Sequence, residues 1–221
     1  VDFTVDSTRW RCATSTYTCA LAERDTARRG GFLRQGGGLF GTLGAPDERP
    51  HASPDGKWEA LVRNFNIFVR PTDVSRRSDG VMLSAEGTEN DAYSQQSIVW
   101  SPDSKKLAAY RVKPGFRREV HYVESSPEDQ LQPKNSTMLY NKPGDVLDVE
   151  QPVLFDVGER KQVVVDNALF PNAYDMNALE WRKDGRAVTF EYNQRGHQVF
   201  RGIEIDAATG KTRAVIDEQS P

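Results

Sequence analysis

The sequence is short of the features that most often announce a function. Its longest apolar runs, such as Lys161-Gln-Val-Val-Val165, are far too short to cross a bilayer, so no membrane span is expected. No basic stretch followed by an apolar core opens the chain, so no leader is expected there, although a mature or trimmed product would look the same. The formal net charge is only −3, with an isoelectric point near 5.7, which argues against a general phosphate-binding surface and against nucleic acid as a partner. His51, His121 and His197 lie far apart, and none stands at ligand spacing from Cys, Asp or Glu, so neither a metal nor another cofactor is expected. No Gly-x-Ser-x-Gly elbow occurs, and no catalytic residue can be assigned. Gly30-Gly31 and Gly36-Gly-Gly38 do not sit between a strand and a helix, so they read as loop rather than as a nucleotide cradle.

Cysteine is equally scarce. Cys12 and Cys19 flank Ala13-Thr-Ser-Thr-Tyr-Thr18, which reads as a hairpin tip. Two strands joined there bring the pair within reach of a disulfide, which would imply an oxidising compartment, while two free buried thiols remain the alternative.

What the sequence does contain is a repeat. Ala52-Ser-Pro-Asp-Gly-Lys-Trp-Glu-Ala-Leu-Val62, Trp100-Ser-Pro-Asp-Ser-Lys-Lys-Leu-Ala-Ala-Tyr110 and Trp181-Arg-Lys-Asp-Gly-Arg-Ala-Val-Thr-Phe190 share one order of residue types, with a degenerate copy at Val5-Asp-Ser-Thr-Arg-Trp-Arg11. Ser and Asp side chains bond to nearby amides, proline presets a turn, and glycine tolerates its exit. An apolar residue before this turn and an alternating run after it make a hairpin. A second strand pair follows each copy, at Asn66-Ile-Phe-Val-Arg70, Glu119-Val-His-Tyr-Val123 and Val199-Phe-Arg-Gly-Ile-Glu-Ile205. Four strands per unit, repeating at 49 and 48 residues from Asp6 to Asp55 to Asp103, predict an all-β, partial propeller of four-stranded antiparallel blades, with a β-sandwich as the alternative. Residues 1–48 read as a degenerate first blade and Gly-rich loop, and 49–221 as propeller blades.

The interval from Asp103 to Asp184 is longer, at 81 residues. It contains an outer hairpin, Val153–Val157 with Gln162–Asp166, and a polar, proline-bearing excursion that reads as an extended arm at about 113–150. His51 is assigned to the slot that tryptophan fills in the later copies, and His197 to a bend between strands; both read as structural. Glu86 and the Glu89-Asn-Asp91 run precede the Trp100 blade in a polar loop, where carboxylates can take a cation or a peptide's amino group, or simply remain solvated.

The segment Ser97–Tyr110, followed by Val120-His-Tyr-Val-Glu-Ser-Ser-Pro-Glu-Asp-Gln-Leu-Gln-Pro-Lys134 and Tyr140-Asn-Lys-Pro-Gly144, resembles the propeller of dipeptidyl peptidase IV-like serine peptidases. Phe190-Glu-Tyr-Asn-Gln-Arg-Gly-His-Gln-Val-Phe200 is similar to bacterial members. The likeness covers roughly residues 50–221 and implies a chain amounting to about half of an eight-bladed propeller, in a parent that releases dipeptides from peptide N-termini. The triad would lie in a C-terminal α/β-hydrolase domain absent from these residues. In that family a Glu-Glu pair grips the substrate's amino group. The match places it at Glu89 and Asn90, so one carboxylate is replaced, and Asp91 is the nearest substitute. The resemblance also implies a peptide substrate, a homodimer through the 113–150 arm, and a periplasmic or secreted location. The competing reading is a stand-alone propeller serving as a protein-interaction module.

Overall fold

The computed structural model describes residues 49–220, together with the backbone of three strands near the N-terminus. It divides into two units, Val1–Gln35 and Gly36–Pro221. In the first, β1 (Asp2–Val5), β2 (Thr8–Ala13) and β3 (Thr18–Leu21) form an antiparallel meander. Its register sets Cys12 directly opposite Cys19, at a backbone spacing that admits a disulfide. The two cysteine side chains, Asp6 and the Gly-rich loop lie outside the described residues.

Among the described residues, the second unit carries three blades. Blade 1 is β4 (His51–Ala52), β5 (Trp58–Arg63), β6 (Asn66–Pro71) and β7 (Val81–Met82), paired in that order. Blade 2 begins with a split inner strand, β8 (Ala92–Tyr93) and β9 (Val99–Trp100), both pairing β10 (Lys106–Lys113). The chain then leaves the sheet as an antiparallel arm, β11 (Glu119–Glu124) and β12 (Lys134–Leu139). It returns as β13 (Val149–Asp156) and β14 (Lys161–Val163) to complete the blade. Blade 3 repeats the split, with β15 (Ala173–Met176) and β16 (Glu180–Trp181) on one edge of β17 (Ala187–Gln194), then β18 (Val199–Asp206) and β19 (Thr212–Gln219). The sheets are all antiparallel, and the architecture is a partial propeller.

Two expectations need correction. Glu119–Val123 is not a blade strand: it pairs only with Lys134–Leu139 in the arm, and the third strand of blade 2 is Val149–Asp156. The physical reason is burial. Val153, Leu154 and Phe155 are buried, whereas His121, Tyr122 and Val123 are exposed and cannot form a blade interior. Second, the turn alignment puts Ala52, not His51, in the tryptophan slot, and His51 supplies a backbone carbonyl to the next blade instead.

Blade 2 is buried on both faces, which explains its unbroken apolar runs. Leu107, Ala109, Val153 and Phe155 pack against Ala60, Ile67 and Val69 of blade 1. The alternate residues Ala108, Tyr110 and Leu154 pack against Val188, Phe190 and Ile203 of blade 3. Each fully buried Val, Leu, Ile or Phe side chain among them contributes about 1.5–3 kcal/mol.

The repeated turn is built as its chemistry dictates. Ser53 Oγ donates to Asp55 Oδ1 at 2.6 Å and accepts from Trp58 N at 3.0 Å, while Lys57 N donates to Asp55 Oδ1 at 3.1 Å. Ser101, Asp103, Lys105 and Lys106 reproduce the pattern. These serine hydroxyls, helped by the amides, hold Asp55 and Asp103 below the usual carboxylate range. Blade 3 has Arg182 in the serine's place, so the hydroxyl relay is missing and Asp184 is held by Arg186 and its amide. The fourth turn position is left-handed in all three copies, at Gly56 (φ 70°), Ser104 (φ 61°) and Gly185 (φ 67°).

The arm is braced at its base. Arg118 makes a bidentate pair with Asp145 at 2.8 and 2.6 Å, Gly115 N donates to Asp148 Oδ1 at 2.7 Å, and Arg195 of blade 3 donates to the Asp145 carbonyl at 3.0 Å. Arg118 holds the Asp145 carboxyl far below its ordinary range.

Candidate substrate-recognition loop

The loop between blade 1 and blade 2 lies at the same end of the sheets as the arm, because strand direction alternates and both connect the far ends of their strands. Its shape is fixed by the β5–β6 hairpin. Asn64 (φ 49°) and Phe65 (φ 67°) are both left-handed, as a two-residue turn of the primed type requires. Phe65 is a bulky residue in that region, which is a strained choice. Its carbonyl accepts from Tyr93 N at 3.1 Å. A Cβ at Gly87 would fall 2.2 Å from the same oxygen, so only glycine fits there. Asn66 joins the two segments: Gly87 N and Ser84 Oγ donate to its Oδ1 at 2.8 and 3.0 Å, and its amide donates to the Gly87 carbonyl.

Beyond Gly87 the chain turns tightly. Thr88 and Asp91 exchange both backbone hydrogen bonds, at 3.1 and 3.0 Å, which puts Glu89 and Asn90 at the exposed tip. Glu89 has no ion pair or side-chain hydrogen bond among the described residues. Asp91 is differently placed. Its Oδ1 is 2.8 Å from Arg111 Nε, in an ion pair whose N–H is not aimed at the oxygen, and its Oδ2 is 3.6 Å from Lys113 Nζ.

Arg111 also reaches Glu86, with Nη1 3.7 Å from Oε1 and Nη2 donating to the Glu86 carbonyl at 3.1 Å. Glu86 accepts further hydrogen bonds from Tyr93 Oη and Ala85 N. Partial burial opposes its ionisation, but those donors and Arg111 outweigh it and hold the carboxyl below its ordinary range. Burial, and then the Glu86 carboxylate, push the Tyr93 hydroxyl upward, so it remains a donor. The outcome is a loop whose tip carries Glu89, without a side-chain partner among the described residues, beside a paired layer of Glu86, Tyr93, Arg111 and Asp91.

Sequence reasoning found Glu86, Glu89 and Asp91 but not the buttress from Tyr93 and Arg111. The available signal was strand alternation in β10, which sets Arg111 opposite Tyr93. His197, with φ 59° in the β17–β18 turn, meets the Tyr174 ring at 4.5 Å edge to face, in keeping with a structural role. Among the described residues, no group of three His, Cys, Asp or Glu side chains could hold a metal ion, and no helix is long and apolar enough to cross a membrane.

Comparison with known proteins agrees with the architecture. The dipeptidyl peptidase IV (DPP IV) N-terminal region matches residues 42–221, and the chain belongs to that family. No curated protein matches the chain. Among solved structures, Porphyromonas gingivalis dipeptidyl peptidase 4 is similar at 20% identity and a TM-score of 0.56, covering 78% of this chain and 26% of that one. A putative dipeptidyl aminopeptidase IV from Bacteroides ovatus is similar at 15% identity and a TM-score of 0.55, covering 100% of this chain and 28% of that one. The chain thus spans about a quarter of the length of these relatives, and at such identities the likeness is one of fold.

Proposed function

We propose that this chain is the N-terminal propeller region of a serine exopeptidase that releases dipeptides from peptide N-termini. It anchors and gates the substrate, while the serine, aspartate and histidine of the triad stand in a C-terminal hydrolase domain of the parent. The observation that carries the reading is the exposed carboxylate of Glu89, which has no partner among the described residues and is raised on a turn whose base is locked by Asn66 and Arg111. A free ammonium group binds such a carboxylate through charge-assisted hydrogen bonds. Asp91, engaged by Arg111 and Lys113, acts mainly by holding the turn and adds negative potential beside Glu89.

Two further elements of the reading rest on features away from this loop. The arm exposes Tyr122, Val123 and Leu131, which suits pairing with a second copy of the parent. The Cys12–Cys19 register suits a disulfide, and with it a periplasmic or secreted location. The downstream reading frame of the gene tests the assignment: a hydrolase domain with a nucleophile elbow in frame is expected, and a stop codon directly after Pro221 contradicts it.

A further inference from the structure

At the opposite end of the blades from Glu89, the Ser-Pro-Asp turns and the β13–β14 turn leave a cleft of about 280 Å³ between blades 1 and 2. Trp58, Val69, Val81 and Val157 give it apolar walls, and among the described residues Lys105 and Arg160 are the charged groups that line it, with Asp55 and Asp103 bonded just outside to Ser104 and Lys105. The corresponding seam between blades 2 and 3 is closed, because Asp166 N donates to the Gly210 carbonyl at 3.0 Å and the Val164 backbone lies against that glycine. Two side chains at the open seam bear on what it can take.

The first is Trp58. It stands where blade 2 has Lys106 and blade 3 has Ala187, a different repeat position from Trp100 and Trp181, which both commit their indole N–H to a neighbouring blade's carbonyl. That of Trp58 has no partner among the described residues, and its ring also lines a second cleft of about 260 Å³. The second is Arg160. It occupies the left-handed position of the β13–β14 turn, with φ 54°, where the matching position in blade 3 is Gly210, with φ 71°. An arginine held in a conformation that glycine adopts freely, with no ion pair among the described residues, points to a role for its guanidinium.

We infer that this cleft binds the C-terminal carboxylate of a peptide whose last residue is apolar. The guanidinium of Arg160 takes the carboxylate, Lys105 adds positive potential although it also lies near Asp103, the apolar walls receive the terminal side chain, and the indole N–H of Trp58 donates to the peptide. The second cleft across the Trp58 ring accommodates the preceding residue. This site is independent of Glu89 and of any peptidase activity.

The test uses the 15N-labelled full chain and follows its indole N–H resonances, with Trp58→Phe identifying the Trp58 signal. Acetyl-Ala-Leu with a free carboxylate is expected to move the Trp58 resonance and leave those of Trp100 and Trp181 in place. The amidated peptide is expected to bind at least tenfold more weakly, as is octanoate, which supplies a carboxylate and an apolar chain without a peptide. Arg160→Gly is expected to lose at least tenfold in affinity with no fall in thermal midpoint, because glycine relieves the left-handed backbone; Arg160→Lys is expected to keep part of the binding. No shift at about 10 mM peptide, a Kd range that detects even very weak binding, overturns the inference. So does equal binding of the amide or of octanoate, or unchanged affinity in Arg160→Gly.

Discussion

The indole Nε1 of Trp181 donates to the carbonyl oxygen of Val99 at 3.1 Å, tying the inner strand of blade 3 to that of blade 2. Trp100 makes the same bond to His51, at 2.8 Å, one blade earlier. The tryptophan just before the second and third repeated turns is therefore a latch between neighbouring blades, a part that Ala52 before the first turn cannot play. Trp181→Phe keeps most of the ring packing but removes the donor. A loss of about 1 kcal/mol is expected, seen as a fall in thermal midpoint of about 2–4 °C for a domain of this size. Trp100→Phe is expected to behave alike, and no change in either variant would show that the bond contributes nothing.

Gly56 and Gly210 share nearly the same backbone conformation, at φ 70° and 71°, but not the same surroundings. A Cβ at Gly56 meets nothing within 4 Å, whereas one at Gly210 would lie 1.9 Å from the Val164 carbonyl. Gly56→Ala is expected to cost about 1 kcal/mol, from the left-handed backbone alone. Gly210→Ala is expected to cost clearly more, about 3 kcal/mol, because the blade 2–blade 3 seam must open. Urea unfolding of the two variants side by side checks the difference, and equal losses would contradict it.

Glu150 on β13 lies partly buried near Asp148 and Asp175, and its carboxyl is raised from an ordinary 4.5 to about 7, first by burial and then by those two carboxylates. The folded state holds this proton more tightly than the unfolded chain does. Stability from this group is therefore greatest below about pH 4.5 and declines as the pH rises towards about 7. Glu150→Gln is expected to remove that decline. The variant should match the parent near pH 4.5 and exceed it at pH 8 by up to about 3 kcal/mol, as read from denaturant unfolding across pH. A parallel pH dependence in the two proteins would refute the assignment.

The blades were legible because their signals are local. Ser53-Pro-Asp55 and Ser101-Pro-Asp103 close their turns with their own side chains, and the turn dictates the flanking hairpin. The third strand of blade 2 was not legible in the same way. Glu119–Val123 alternates as a strand should and follows the hairpin directly, but nothing local says that its faces meet solvent rather than a neighbouring blade. Only the pairing of Val149–Asp156 with β10 decides it. The loop between blades 1 and 2 was half legible for a related reason. Glu89 and Asp91 are visible as loop acids, but whether a carboxylate is free or paired depends on Arg111, a partner on a strand some twenty residues further along the chain.

The central claim concerns Glu89, and kinetics of the full-length parent test it most directly. Glu89→Gln removes the charge that would face a substrate's ammonium group and leaves the turn, which is closed by the Thr88 and Asp91 backbones, intact. The expected result is a KM for free-amine dipeptide amides raised at least tenfold, with little change for amine-blocked peptides. An equal effect on both substrate types, or none on either, would contradict the account.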